Sequence, residues 1–471
     1  MVALLGNRIV REHGDVRLAA RKIQEIEMRK CVGQSESAKS LLRNHPALRD
    51  DVIQLHTIGA MPHFRGGEPD YPRPSGLPYD ESKSLEMVEK IWKDAKEGRA
   101  LVISPHVSGS DAPLIATPAT TAQKRLPDRT LSTDFRIISD LRYTNLFCDK
   151  SDYPEVRVTD MEKIAERLVA LEMRWPGLRT LCNKRDIDSA FKRIRVHPDA
   201  SEILRTEFRA ELFGIDDPDA TLIFLYLVLP FGWRASPGYF SRLGEGISTS
   251  HREYQSGHPE RDGKDHFDPL LFVGDAIFIE PSLGHRQEMV VGCWEYICKK
   301  LLGASAVNDE KKDIEGSWQE THILLGFEVN VHMMEISLPA AKRSDSWDIL
   351  TDPVLNPGNR VIPAKMVHQL RGLINHWRYA NKFRHYVASP VNALMACADN
   401  TNTWIRCDND QIWLAFWNLI SLVGKMGNDA DTWGKIFHGE LDQVISVAKR
   451  IGQPRGSGAV TWATGDAVIE K

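Results

Sequence analysis

The chain has 471 residues, 42% of them hydrophobic and 26% charged, the composition of an ordinary globular protein long enough for about two to four subdomains. A formal net charge of −4 argues against a uniformly basic nucleic-acid binder, so any phosphate contact must come from clustered cations. No apolar run reaches the ~18 residues of a membrane span, the N-terminal MVALLGNRIVREHGD is too short in its apolar stretch for a secretory leader, and the 7 cysteines form no CxxC pair. These features predict a protein of a reducing compartment, cytoplasmic or nuclear, with no membrane partner and no zinc or disulfide framework.

In chain order, residues 1–60 read as helical, with Val16, Ala19, Ala20, Ile23 and Ile26 in a broken helical period. Residues 61–80 are rich in proline and glycine and predict an extended linker. A helix capped by Asp80 or Ser82 should run through Leu85, Val88 and Trp92 and stop at Gly98. Short strands are expected from Val102 to Ala116, and a polar basic loop over Thr121–Arg129. Met161–Met173 is an amphipathic helix and Thr180–Ile187 a strand, followed by a second strand at Ile194–Val196 and a β-rich stretch at Thr221–Leu229. Pro237 suits the first turn of a helix. Ser248–Phe267, polar and rich in histidine, predicts an exposed loop, and Gln411–Val423 a wide-faced helix.

Three blocks carry the chemistry. KRDIDSAFKRI (Lys184–Ile194) puts Asp186 at the end of an apolar-leaning run, with Ala190 and Phe191 shortly after. LVLPFGWRASPGYF (Leu227–Phe240) is a Pro-Phe-Gly turn followed by Ser236-Pro237 at a helix start. LLFVGDAIFIE (Leu270–Glu280) reads as two strands, Leu270–Val273 and Ala276–Ile279, joined by a tight Gly274-Asp275 turn. An acid after one strand and another at a hairpin tip can converge on shared divalent metals, which is what nucleotidyl transfer requires.

In this order and spacing the blocks resemble the palm of a reverse transcriptase, an RNA-directed DNA polymerase of the long-terminal-repeat or DIRS-like retrotransposon kind. FRIISDLRYTN (Phe135–Asn145) is similar to the fingers strand of that family, LLGASAVNDEKK (Leu301–Lys312) to the next palm segment, and HILLGFEVN (His322–Asn330) to the primer-grip hairpin. RGLINHWRYANKFRHYVASPVNALM (Arg371–Met395) resembles its helical thumb. The resemblance covers roughly residues 100–400 and implies an α+β right-hand polymerase: fingers, antiparallel-sheet palm and helical thumb behind a helical N-terminal extension. The implied boundaries are 1–98 for the extension and linker, 99–180 fingers, 181–335 palm, 336–450 thumb and connection, and 451–471 a tail. That tail, with Asp466, faintly resembles the start of a ribonuclease H-like domain, which would lack the remaining acids of its site.

The resemblance also implies site roles. Asp186 and Asp275 would be catalytic, holding Mg2+ (or Mn2+) with the backbone carbonyl of Ile187. Arg136 would touch an incoming deoxynucleoside triphosphate, Phe191 would lie under its sugar, and Phe231 and Gly232 against its base. Arg371, Arg378 and Lys382, on one helical face in a stretch without acids, would track the phosphates of an RNA or DNA template-primer. One departure stands out: where the family has Tyr-x-Asp-Asp, this chain has Phe272-Val273-Gly274-Asp275, so glycine replaces the first Asp. Side-chain direction alternates along a strand, so slipping the hairpin by one would misplace Phe272, Val273 and Ile277, and Asp275 does not simply substitute. Metal binding and polymerisation are therefore expected to be weakened or lost. The alternative expectation is a non-catalytic nucleic-acid-binding protein that keeps the polymerase groove.

Overall fold

The computed structural model describes residues 2–65, 84–105, 107, 116–125, 131–216, 221–254, 266–356, 358–376, 384–397, 403–425, 438–440, 461–463 and 466–468. Its helices and sheets form an α+β protein in two compact units that interleave along the chain. The first unit comprises residues 1–158, 184–276 and 288–316, and the second 159–183, 277–287 and 317–471.

The first unit opens with α1 (Val2–His13), α2 (Val16–Arg29), α3 (Val32–Leu41) and α4 (Pro46–Thr57), followed by α5 (Ser84–Lys96). Asp15 caps α2 by accepting from Leu18 N, and Pro46 starts α4 at a position that needs no N–H. Its main sheet has five strands: β1 (Ala100–Ile103), β2 (Thr117–Arg125), β3 (Leu131–Ser139), β5 (Arg205–Arg209) and β6 (Thr221–Tyr226), in the order β1-β6-β5-β2-β3. Only β2 and β5 pair in parallel. Val10, Val16, Ala19 and Ala20 of the first two helices pack with Leu101 and Ile103 of β1 and Ile223 and Leu225 of β6 in one core cluster. On the other face, Met87 and Ile91 of α5 pack with Val102, Phe135, Phe208 and Phe224. The approach of α1 to the sheet depends on Gly6, where a Cβ would fall 1.8 Å from the Val102 carbonyl oxygen.

Two loop expectations give way to regular structure. Thr121–Arg125, read as loop because it is polar and basic, is part of β2, since its backbone is satisfied by pairing with β3 from Ala119↔Ser139 to Arg125↔Leu131. Ser248–Tyr254, read as the start of an exposed loop, continues α7 (Ser236–Tyr254), with Ser250 and His251 buried on its inner face, and Phe267 is also buried.

Strands β4 (Thr180–Asp186), β7 (Leu270–Phe272) and β8 (Asp275–Pro281) form a sheet in the order β4-β8-β7. Helix α8 (Arg286–Leu302) and the short α9 (Asp309–Glu315) follow. In the second unit, α6 (Met161–Arg174) buries Ile164, Leu168 and Leu171. Its Arg167 lies 2.8 Å from Glu280, which also binds Arg286 at 2.7 Å, so a fully buried carboxylate is held between two buried guanidinium groups. The His322–Asn330 hairpin is present as β9 (Thr321–Leu324) and β10 (Phe327–Asn330), turned by Leu325 and Gly326, both with positive φ. Strands β11 (Glu335–Ser337) and β14 (His438–Glu440) complete that sheet. The rest is mostly helical: α10 (Ala340–Leu350), α11 (Ala364–His376), α12 (Arg384–Ala396) and α13 (Asp410–Lys425), with the strand pair β12 (Val361–Pro363) and β13 (Trp404–Arg406). Near the C-terminal end β15 (Thr461–Ala463) pairs with β16 (Asp466–Val468). Among the described residues no helix is long and apolar enough to cross a membrane.

Candidate active site

The backbone places the two sequence-predicted carboxylates opposite each other. Ile187 N donates to Gly274 O at 2.9 Å, and Ser282 N donates to Arg179 O at 2.8 Å. Both bonds fit a single antiparallel register, in which Asp186 faces Asp275 as a non-hydrogen-bonded pair with both side chains on one face. The side chains agree, because the Asp186 carboxylate lies close enough to Asp275 to push its pKa up. Lys311 Nζ sits 3.0 Å from Asp186 Oδ1 and 3.8 Å from Asp275 Oδ1, so those oxygens are separated by no more than the sum of the two distances.

The hairpin tip differs by one residue from the expected turn. Val273 and Gly274 form it, and Asp275 already belongs to β8. Val273 carries the positive φ, 55°, which is costly for a β-branched residue, whereas Gly274 does not adopt a left-handed conformation. Glycine is therefore not required at 274 by its φ. A Cβ built there would lie 3.8 Å from Asp186 Oδ1, 3.4 Å from Ile187 O and 3.1 Å from Ala190 Cβ. The tip thus offers Asp186 two neighbouring positions, and only Asp275 fills its position with a carboxylate.

The surroundings set the charges. Asp275, about half exposed, is held above the usual carboxylate range because packing removes water from it, which outweighs the pull of Lys311, and because Asp186 repels its charge. Burial works against the charge on Lys311, yet its hydrogen bond to Asp186 and the nearby carboxylates keep its pKa above that of an ordinary lysine. Asn308 organises this side of the site. Its backbone N–H donates to Asp186 O at 2.9 Å, its Nδ2 donates to Asp186 Oδ2 at 3.0 Å, and its Oδ1 caps α9 by accepting from Lys311 N at 3.1 Å. Among the described residues no group of three or more His, Cys, Asp and Glu side chains gathers in a metal-holding arrangement.

A second cluster brings together residues far apart in sequence. Arg136, on β3, places its guanidinium 5.6 Å from the centroid of the Phe231 ring. Phe231 is 5.1 Å from Phe191, which in turn packs 5.8 Å from the buried Phe240. Phe231 is 39% exposed, so the ring keeps a free face beside the arginine. Gly232 is needed here, with φ of 98° and a would-be Cβ 2.8 Å from Ser139 O. Asn145 clamps the turn, donating to Gly232 O and accepting from Arg234 N, each at 2.8 Å. Ser236 Oγ donates to Pro230 O at 2.8 Å and fixes the start of α7.

No family model matches this chain, and no curated protein matches it either. Among solved structures, it is similar to a foamy viral protease–reverse transcriptase dRH in complex with double-stranded DNA, at 16% identity and a TM-score of 0.47 over 83% of this chain and 60% of that one. It is also similar to the foamy viral protease–reverse transcriptase in complex with an RNA/DNA hybrid, at 14% identity and a TM-score of 0.46 over 83% of this chain and 46% of that one. A third, in complex with double-stranded DNA, gives 14% and 0.46 over 83% and 71% respectively.

Of the predicted phosphate-tracking cations, Arg371 lies exposed on α11, while Arg378 and Lys382 fall outside the described residues. Sequence reasoning missed Lys311, Asn308 and Asn145. Their residue types are common, and only tertiary pairing brings Asn308 beside Asp186 and Asn145 beside Gly232. The one signal was an Asn followed by Asp309 and Glu310, a helix start within the Leu301–Lys312 segment.

Proposed function

We propose that this chain is a reverse-transcriptase-like protein that binds a template-primer duplex and has lost most or all of its capacity for nucleotidyl transfer. The observation that carries the reading is the β7–β8 tip. It sets Asp275 opposite Asp186, as a polymerase palm would, but presents Gly274 where a second hairpin carboxylate would face Asp186. The Arg136–Phe231–Phe191 cluster supports a retained nucleotide pocket, since a guanidinium suits a triphosphate and the rings suit a sugar and base. On its sequence blocks we place it with polymerases of long-terminal-repeat or DIRS-like retrotransposons, with fingers, palm and thumb in that order.

In a polymerase of this kind, the site's Mg2+ or Mn2+ ions would activate a primer hydroxyl and neutralise the triphosphate. Two aspartates fit that chemistry only in part, and Lys311 already lies against both. What the protein's own residues still supply is positioning: backbone and aromatic contacts to a nucleotide, and cations for phosphates. The test is fluorescence anisotropy of a labelled RNA/DNA or DNA/DNA primer-template against salt. We expect saturable binding whose affinity falls with salt, because each phosphate contact releases counterions. No duplex binding at low salt would overturn the proposal.

A further inference from the structure

We infer that Lys311 is a built-in cation that takes the place of divalent metal between Asp186 and Asp275, so the pair is an internal ion triad rather than a metal site. This rests on the palm reading above for what the carboxylates once served, but its evidence is the local geometry. Two carboxylates directly opposite on one sheet face repel each other and need a positive partner. A polymerase meets that need with two divalent ions about 3.5–4 Å apart, and each Mg2+ demands near-octahedral oxygen ligation at about 2.0–2.1 Å. Here the donor set is short by the carboxylate that Gly274 lacks, and a protein ammonium already lies 3.0 Å from Asp186 and 3.8 Å from Asp275.

The placement of Lys311 is built rather than incidental. It sits in the first turn of α9, whose start is fixed by the Asn308 cap, and Asn308 in turn bonds Asp186 through both its backbone N–H and Nδ2. Asp186 therefore receives an N–H on each carboxylate oxygen, one from Lys311 and one from Asn308. A lysine ammonium is a compact point charge with three donors, suited to bridging two carboxylates. A divalent ion entering between the same oxygens would meet it at close range, so metal and lysine compete.

The experiment is a Mn2+ titration of the full-length protein, with bound metal read by the loss of the free-ion electron paramagnetic resonance signal. Wild type is compared with Lys311→Met, Lys311→Gln and Lys311→Arg, each checked for folding by circular dichroism and thermal melting. We expect Lys311→Met and Lys311→Gln to bind Mn2+ at least about tenfold more tightly than wild type, and Lys311→Arg to bind as weakly as wild type. We also expect Mn2+ to raise the melting temperature of the two neutral variants and not of wild type. Equal Mn2+ affinity in wild type and the neutral variants would overturn the inference, as would tight binding by Lys311→Arg. Because the readout is metal rather than duplex or extension, its failure leaves the nucleic-acid reading standing, and failure of that reading leaves this one standing.

Discussion

Gly274→Asp adds a second carboxylate to the hairpin and should cost stability until a cation is supplied. The backbone does not oppose it, since residue 274 lies outside the left-handed region, and the tightest new contact is 3.1 Å to Ala190 Cβ, which requires a shift of a few tenths of an ångström. The cost is electrostatic. With its Cβ 3.8 Å from Asp186 Oδ1, the new carboxylate adds a third negative charge to a site whose nearest ammonium is that of Lys311. A pair of like charges ~5 Å apart at an effective dielectric of ~20 repels by about 3 kcal/mol. Attraction to Lys311, and solvent screening of a site whose lysine and Asp275 are about half exposed, should reduce the net cost to about 1–2 kcal/mol. Urea unfolding in the presence of a chelator should show that loss, and millimolar Mn2+ should reverse it, since a ligand at about ten times its Kd adds ~1.4 kcal/mol. If the variant were as stable as wild type in chelator and Mn2+ stabilised both equally, residue 274 would not face the carboxylate pair and the site geometry would be wrong.

Other consequences follow from buried charge. Burial lowers the pKa of His56 to about 4, so the folded state prefers the neutral ring; its contribution is fully present above the unfolded value near 6.5 and is lost as pH falls through about 4. At about 1.4 kcal/mol per unit, stability should fall by about 3 kcal/mol across that window, and His56→Leu should flatten this part of a pH series of urea unfolding curves. Glu280→Ala leaves Arg167 and Arg286 buried without their shared carboxylate and should cost about 3–5 kcal/mol in the same assay; a loss under about 1 kcal/mol would show that the triad is not buried. Arg136→Ala and Phe231→Ala should each weaken deoxynucleoside triphosphate binding to the duplex complex, with a coupling of about 0.5–2 kcal/mol between them because the two side chains touch. Strict additivity would separate them.

What the sequence made legible was whatever local pattern dictates. The acid ending β4, the two-residue tip between β7 and β8, and the Ser-Pro start of α7 follow from strand alternation, turn chemistry and capping. The contact between Arg136 and Phe231 was foreseeable only through the family resemblance, since more than ninety positions separate them. The turn itself was misplaced by one residue because Gly-Asp is a common turn pair, while the structure instead accepts a strained Val273. Helices α1 and α2 share a core with β1 and β6, a packing that the small residues Gly6, Ala19 and Ala20 permit but do not announce. Lys311 was hidden for a similar reason: its role depends on the N-cap of α9 meeting the end of β4.

The central claim, a polymerase fold with its chemistry disabled at Gly274, is tested most directly by primer extension. Wild type, Gly274→Asp and Asp186→Asn would be assayed on poly(rA)·oligo(dT) with Mg2+ and with Mn2+. The account predicts that wild type binds the primer-template yet extends it barely or not at all, about 10³-fold below Gly274→Asp, a difference of about 4 kcal/mol. Robust extension by wild type that is abolished in Asp186→Asn would contradict it and establish an active polymerase.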